Sequence, residues 1–159
     1  MSTNGIIYAE ETKDVCLYKH WDGYPSGVLP YLKEFLPVFR QSRGPDPIYL
    51  MARLTGFFLD QQTKARKNRL AQAKRKKNKY DIDYYSRLEM TGFGIAPSNM
   101  VGGEFYYSIG PDFSVSVLDG DKKLLRKIEY SELLALNCPK YCDFDLATLT
   151  PIVKEKVKA

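Results

Sequence analysis

Apolar and polar positions along this chain follow two periods, and the change from one to the other divides it into a helical first half and a sheet-like second half. Ile6, Ile7 and Tyr8 predict a short strand. Residues 15–19 alternate, with Val15, Leu17 and Lys19 on one face and Cys16, Tyr18 and His20 on the other. The polar turn between these two runs predicts a hairpin. Val28, Leu29, Leu32, Phe35, Leu36 and Phe39 then recur at three and four, the stripe of a helix packed on a core. Ser26 is its expected N-cap. Pro30 falls in the first turn, where a missing N–H costs little, whereas Pro37 is expected to kink or end the helix. Asp46 and Pro47 predict a second helix start. Its expected buried face is Ile48, Met51, Ala52, Thr55, Phe58 and Leu59. After Asp60 only Leu70 and Ala71 continue the stripe, so the helix projects into solvent or gives way to mobile chain.

Residues 88–95, 104–109, 113–118 and 123–130 read as strands. Turn chemistry separates them: residues 97–103, Gly110-Pro111-Asp112 and Asp119-Gly120-Asp121. Short connections imply antiparallel neighbours. Ser131 is expected to cap a short helix through Leu133, Leu134 and Leu136, and the tail to residue 159 is partly apolar and ends in lysine-rich sequence. No internal repeat is present. The expected fold class is α+β, an antiparallel sheet of about five to six strands with two main helices packed on one face. Residues 1–159 read as a single domain with a basic arm at 61–80.

Composition changes this picture mainly through charge. The net +5 conceals an asymmetry: Lys64, Arg66, Lys67, Arg69, Lys74, Arg75, Lys76, Lys77 and Lys79 lie in one acid-free segment. The other 15 basic residues face 19 acidic ones, so the rest of the chain carries −4. Any affinity for nucleic acid belongs to the arm. No apolar run is long enough to cross a bilayer, and the N-terminus lacks a charged n-region. A cytoplasmic location is the expectation. Three cysteines in such a context predict free thiols. Cys16, His20, Cys138 and Cys142 could also supply a tetrahedral zinc, but ordinary buried cysteines are the simpler account, and no metal or cofactor is expected.

Candidate chemistry concentrates between the second strand and the first helix, in His20-Trp21-Asp22-Gly23-Tyr24-Pro25-Ser26-Gly27. The sole histidine and the sole tryptophan meet here with a carboxylate, a tyrosine and two glycines. In one account the loop cradles a ligand. Gly23 and Gly27 let backbone approach it, N–H groups at the helix start bind a phosphate, and Trp21 or Tyr24 stacks on a ring. Lys19 and His20 add donors or charge, Ser26 belongs to the same turn, and Arg53, Tyr106 or Tyr107 help from outside it. In the other account Asp22 bonds the turn's own backbone, Trp21 and Tyr24 pack over the helix, and His20 is a satisfied buried polar residue.

The segment Tyr18 to Gly27, with Leu29 and Leu32 behind it, resembles a motif of small phage and mobile-element proteins. Its pattern is aromatic, any, His, any, Asp-Gly-Tyr-Pro, any, Gly, followed by an amphipathic helix. Gly103-Glu104-Phe105-Tyr106-Tyr107 is similar to a later strand of that family. The resemblance implies a viral or mobile-element setting, and the host cell cytoplasm, more than it implies a chemistry.

A catalytic reading finds little. One histidine excludes two-histidine schemes, and a His20–Asp22 pair has no marked nucleophile. Gly92, Gly94, Gly102 and Gly103 are not followed by the Gly-Lys-Ser/Thr of a phosphate loop, and Gly92-Phe93-Gly94 suggests a bulged strand. The expected function is therefore binding rather than turnover. A phosphate-bearing ligand is expected, such as a nucleotide messenger held as counter-defence, by a homo-oligomer with shared pockets. The alternative is a nucleic-acid or protein-interaction module acting through residues 64–79, whose charges a continuous helix would spread around its circumference.

Overall fold

A computed structural model describes residues 3–87 and 92–152. The first hairpin joins β1 (Gly5–Ala9) to β2 (Val15–Lys19) through a single 3-10 turn, Glu10–Thr12. Three helices follow: α1 (Pro25–Arg43), α2 (Pro47–Lys76) and α3 (Lys79–Ser86). The chain then returns to the sheet as β3 (Phe93–Pro97), β4 (Phe105–Ile109), β5 (Val115–Asp119) and β6 (Leu124–Ile128). It ends in α4 (Tyr130–Ala135) and a two-residue ladder of β7 (Phe144–Asp145) with β8 (Thr150–Pro151).

The α+β class is as expected, and the six strands lie in the order β3-β2-β1-β4-β5-β6. The sheet is mixed rather than wholly antiparallel, because β1 and β4 pair in parallel, with Ile7 opposite Tyr107. Two strands adjacent in space but distant in sequence escape the rule that short connections give antiparallel neighbours. Alternation sorts the strands into two faces. Ile7, Leu17, Tyr107, Ile109, Val115, Val117 and Ile128 join the helices in the main core. Ile6, Cys16 and Tyr106 form a smaller cluster on the opposite face, with Tyr8, Tyr18 and Val101 packed beside them.

Several local expectations give way to longer-range packing. The N-cap of α1 is Tyr24 with Pro25 at the first helical position, not Ser26, whose hydroxyl is used elsewhere. Pro37 neither ends nor replaces the helix, which continues to Arg43. Phe35, Leu36 and Phe39 are all buried around Pro37 and hold the last turns against the core. Asp46 caps α2 as expected, its Oδ1 accepting from the Ile48 and Tyr49 N–H groups. The buried stripe is Leu50, Leu54 and Phe58, one residue out of phase with much of the expected face. Ile48 is 73% exposed, and Ala52 and Leu59 also face outward. Glu129, not Ser131, caps α4 through a reciprocal box with Glu132. Only Leu133 of the helix is buried, and Leu136 is its buried C-cap. The β2–β3 register runs without interruption from Phe93 to Pro97, so the expected bulge at Gly92-Phe93-Gly94 is absent. A register shift falls instead between Val117 and Leu118. Of the expected strand at 88–95, residues 88–91 lie outside the described residues, as does the tail 153–159.

The basic arm is a helical hairpin. The α2 helix continues to Lys76, Lys77 closes it in the left-handed region (φ 54°), and the Asn78 side chain accepts from the Asp81 N–H to start α3. The short helix folds back against the second half of α2 and covers Ala73.

The buried stripe of α2 yields a direct comparison. Leu54→Ala is expected to lower stability by about 3 kcal/mol, a typical cost for emptying a core leucine. Ile48→Ala is expected to change it by less than about 0.5 kcal/mol. Urea denaturation measures both, and equal losses would contradict the observed phase of the helix.

Candidate functional site

The His20–Gly27 loop is organised from within. Lys19, at the end of β2, is 5% exposed, and its ammonium donates to the carbonyl oxygens of Trp21 and of Asp22, the latter at 3.0 Å. From β4, beyond β1, the Tyr107 hydroxyl donates to the Gly23 carbonyl at 2.6 Å. Three successive carbonyls thus point inward to two buried donors. The Gly23 N–H donates to the Thr3 carbonyl, 2.8 Å away. Asp22 takes up a left-handed conformation (φ 54°) between them.

The two glycines serve this internal packing rather than approach to a ligand. A Cβ on Gly23 would lie 2.2 Å from the Gly5 nitrogen, and one on Gly27 would lie 2.0 Å from the Asp22 carbonyl oxygen. Ser26 is buried as well. Its Oγ donates to the Cys142 carbonyl at 2.5 Å, and its own carbonyl accepts from the Tyr141 N–H at 3.0 Å. These bonds tie the C-terminal segment to the start of α1. Asp22 does not bond its own turn through the expected Asx geometry; its Oδ1 accepts from the Tyr24 hydroxyl at 3.2 Å. His20 is exposed rather than buried, with Nδ1 3.0 Å from the Tyr18 hydroxyl and its ring 4.9 Å from that of Trp21.

What the loop presents outward is one wall of a cleft of about 430 Å³. Lys19, Trp21 and Asp22 line it on that side, with Gly92 and Phe93 beside them. Tyr31 of α1 and Tyr141 form a second wall, their hydroxyls 2.6 Å apart. The third wall is the α2–α3 hairpin, which contributes Gln61, Gln62, Arg66, Arg69, Tyr84, Tyr85 and Arg87. Trp21 packs on Gly92 so closely that a Cβ there would meet its ring at 2.6 Å. Arg69 lies over the Tyr85 ring, 5.9 Å from its centroid, and Arg66 donates to the Arg87 carbonyl at 3.3 Å. The buried Gln62 Oε1 has no hydrogen-bond partner among the described residues.

The two candidate regions of the sequence therefore meet in one site. Lys19, Trp21 and Asp22 come from the motif; Arg66 and Arg69 come from the basic arm. His20, Gly23, Tyr24, Ser26 and Gly27 shape or border the loop without lining the cleft. Arg53 is exposed on α2 away from it. Tyr106 lies on the opposite face of the sheet, under the Lys122 ammonium at 5.3 Å, and Tyr107 supports the loop from below. Gln62, Tyr31, Tyr84, Tyr85 and Tyr141 are the residues that sequence reasoning missed. Asn78 followed three residues later by Asp81 is a helix-start signal that could have placed the two α3 tyrosines on a helix turned back toward the core.

The cysteine–histidine set does not converge. Cys16 is buried in the back-face cluster, its thiol donating to the Ala96 carbonyl, whereas Cys138 packs against the main core. The Cys138 and Cys142 sulfurs lie 3.8 Å apart. Among the described residues no group of three or more His, Cys, Asp or Glu side chains is placed to hold a metal.

Burial shapes the titration of the site. It pushes the Lys19 ammonium down to about 8, with the Asp22 carboxylate pulling the other way. Burial also raises Tyr107 well above the ordinary phenol range, and raises Tyr24 to about 12 with the help of Asp22. The Cys138 thiol is pushed up to about 12, by burial first and by Cys142 second, and burial raises Cys16 as well. No protein-family model, curated protein or solved structure shows a significant match to the chain.

These shifts fix a pH profile. Between about pH 8 and 9 native Lys19 releases its proton while the unfolded chain keeps it, so stability rises with pH. Above the ordinary thiol value of 9.0, unfolded Cys16 and Cys138 lose protons that the native thiols keep, and the rise reverses. Urea denaturation under reducing conditions from pH 7 to 10 is expected to show a maximum near pH 9. Lys19→Met should remove the rise; a parent protein whose stability falls from pH 8 to 9 would contradict the assignment.

Proposed function

We propose that the protein is a binding module for a small anionic ligand carrying an aromatic ring, with a nucleotide as the best chemical match. The observation that carries this is the composition of the cleft. Trp21, Tyr84 and Tyr85 offer ring faces beside Lys19, Arg66 and Arg69, and none of these three cations is in an ion pair among the described residues. The lining carries one carboxylate, Asp22, against these three cations; that excess favours an anion, and a guanidinium fork suits phosphate geometry. Aromatic faces next to cations suit a base, whose stacking is worth roughly 1–3 kcal/mol. A volume of about 430 Å³ falls within the range of small-molecule sites.

Gln62 supports the same reading. A buried amide oxygen without a partner costs free energy in the free protein, and a ligand N–H or hydroxyl donor relieves that cost on binding. The lining combines donors, rings and one unsatisfied acceptor, a combination that holds a ligand. In the phage or mobile-element setting that the motif's resemblance implies, such a module would act as an accessory that sequesters a host nucleotide. In that setting release of unchanged ligand is the functional signature.

Calorimetric titration with AMP, ribose 5-phosphate and inorganic phosphate tests the assignment. The nucleotide is expected to bind more tightly than either fragment and to be recovered intact. Arg66→Gln with Arg69→Gln, and separately Trp21→Ala, should each weaken it by roughly 10-fold or more. Lys122→Gln, on the opposite face, should leave it unchanged. Gln62→Met should stabilise the free protein by about 1 kcal/mol while weakening the nucleotide. Absence of binding by any nucleoside phosphate in a wider panel would overturn the proposal.

A further inference from the structure

The α2–α3 hairpin divides the basic segment into two sets. Arg66 and Arg69 turn toward the cleft. Lys64, Lys67, Lys74 and Arg75 follow the three-and-four spacing of the opposite side of α2, and all four are exposed. We propose that this outward stripe is a second site, independent of the cleft, that docks on the phosphate backbone of a nucleic-acid duplex.

None of the four residues forms an ion pair among the described residues. Of the carboxylates on the hairpin, Asp83 pairs with Arg87 and Asp81 accepts from Asn78, while Asp60 lies one turn before Lys64 at the lower end of the stripe. Lys74 and Arg75 also suit the negative end of the helix dipole, but Lys64 and Lys67 lie mid-helix, where the dipole gives no reason for them. From Lys64 to Arg75 the helix rises about 16 Å, a length over which duplex DNA carries roughly ten charges. The α3 helix packs against α2 on its other side.

The stripe's own chemistry selects among polyanions. Between its cations lie the half-buried Leu70 and the exposed Ala71 but no tryptophan or phenylalanine, so it lacks the broad apolar face that inserts into a membrane. Nor does it carry an aromatic ring on which unpaired bases could stack, so a single strand gains nothing over a duplex. The contacts are to backbone charge, and sequence preference is not expected. The remainder of the protein is net negative, which orients the duplex toward the arm.

Fluorescence anisotropy with a labelled 20-base-pair duplex tests the proposal across salt concentrations. Four phosphate contacts give a slope of log K against log salt of about −3.6, so affinity should fall roughly 100-fold between 50 and 200 mM salt. Each of Lys64→Gln, Lys67→Gln, Lys74→Gln and Arg75→Gln should reduce the slope by about 0.9, and Trp21→Ala should leave it unchanged. Circular dichroism checks that each variant is folded, and the parent slope alone remains decisive if one is not. No duplex binding at 50 mM salt would overturn the proposal. So would a parent slope shallower than −1, tighter binding to phosphatidylserine vesicles than to duplex, or single-site variants that bind like the parent.

Discussion

The buried Lys19 ammonium is the contact on which the architecture of the site depends. It stands where β2 ends and takes hold of the backbone carbonyls two and three residues on, those of Trp21 and Asp22, where the chain leaves the sheet. A lysine at 5% exposure without an ion pair is costly, and the lowered pKa records that cost. Two carbonyl dipoles and the field of Asp22 offset part of it. The Tyr107 hydroxyl completes the arrangement by holding the third carbonyl, that of Gly23. Loop conformation, the start of α1 and the position of Trp21 all follow from these inward bonds.

Function and structure are therefore divided within the motif by direction. Its carbonyls and glycines look inward and build the turn. Trp21 and the edge of Lys19 look toward the cleft. A loop made rigid by its own backbone bonds can hold a ring face in place without paying to order it when a ligand arrives. The glycines of this segment follow the packing account, and Trp21 alone of its rings lines the cleft that we propose takes a ligand.

Local signals were legible in the chain, and signals that depend on distant partners were not. The bounds of β2, the Asp46 cap, the stripe of α1 and the Gly110 and Asp119 turns all rest on neighbouring residues. In those turns Asp112 accepts from Ser114, and Asp119 accepts from Asp121 and Lys123. Sequence misplaces the phase of α2 because Ile48, Ala52 and Leu59 carry apolar side chains that face outward, while Leu50 and Leu54 meet the core. Gly23 resembled a ligand-approach glycine because nothing in sequence shows that Asn4 and Gly5 press against it. The cleft itself was invisible. It exists only because Lys77 reverses the chain and returns Tyr84 and Tyr85 to face a loop some sixty residues earlier.

The cleft beside the loop, we propose, takes up a phosphate-bearing aromatic ligand. Trp21 is the only tryptophan in the chain, so its emission reports on that wall alone. Titrating the protein with AMP while following tryptophan fluorescence is the most direct measurement. A saturable change that inorganic phosphate alone does not produce is expected. Emission that stays constant, or changes in proportion to added nucleotide without saturating, would contradict the proposal.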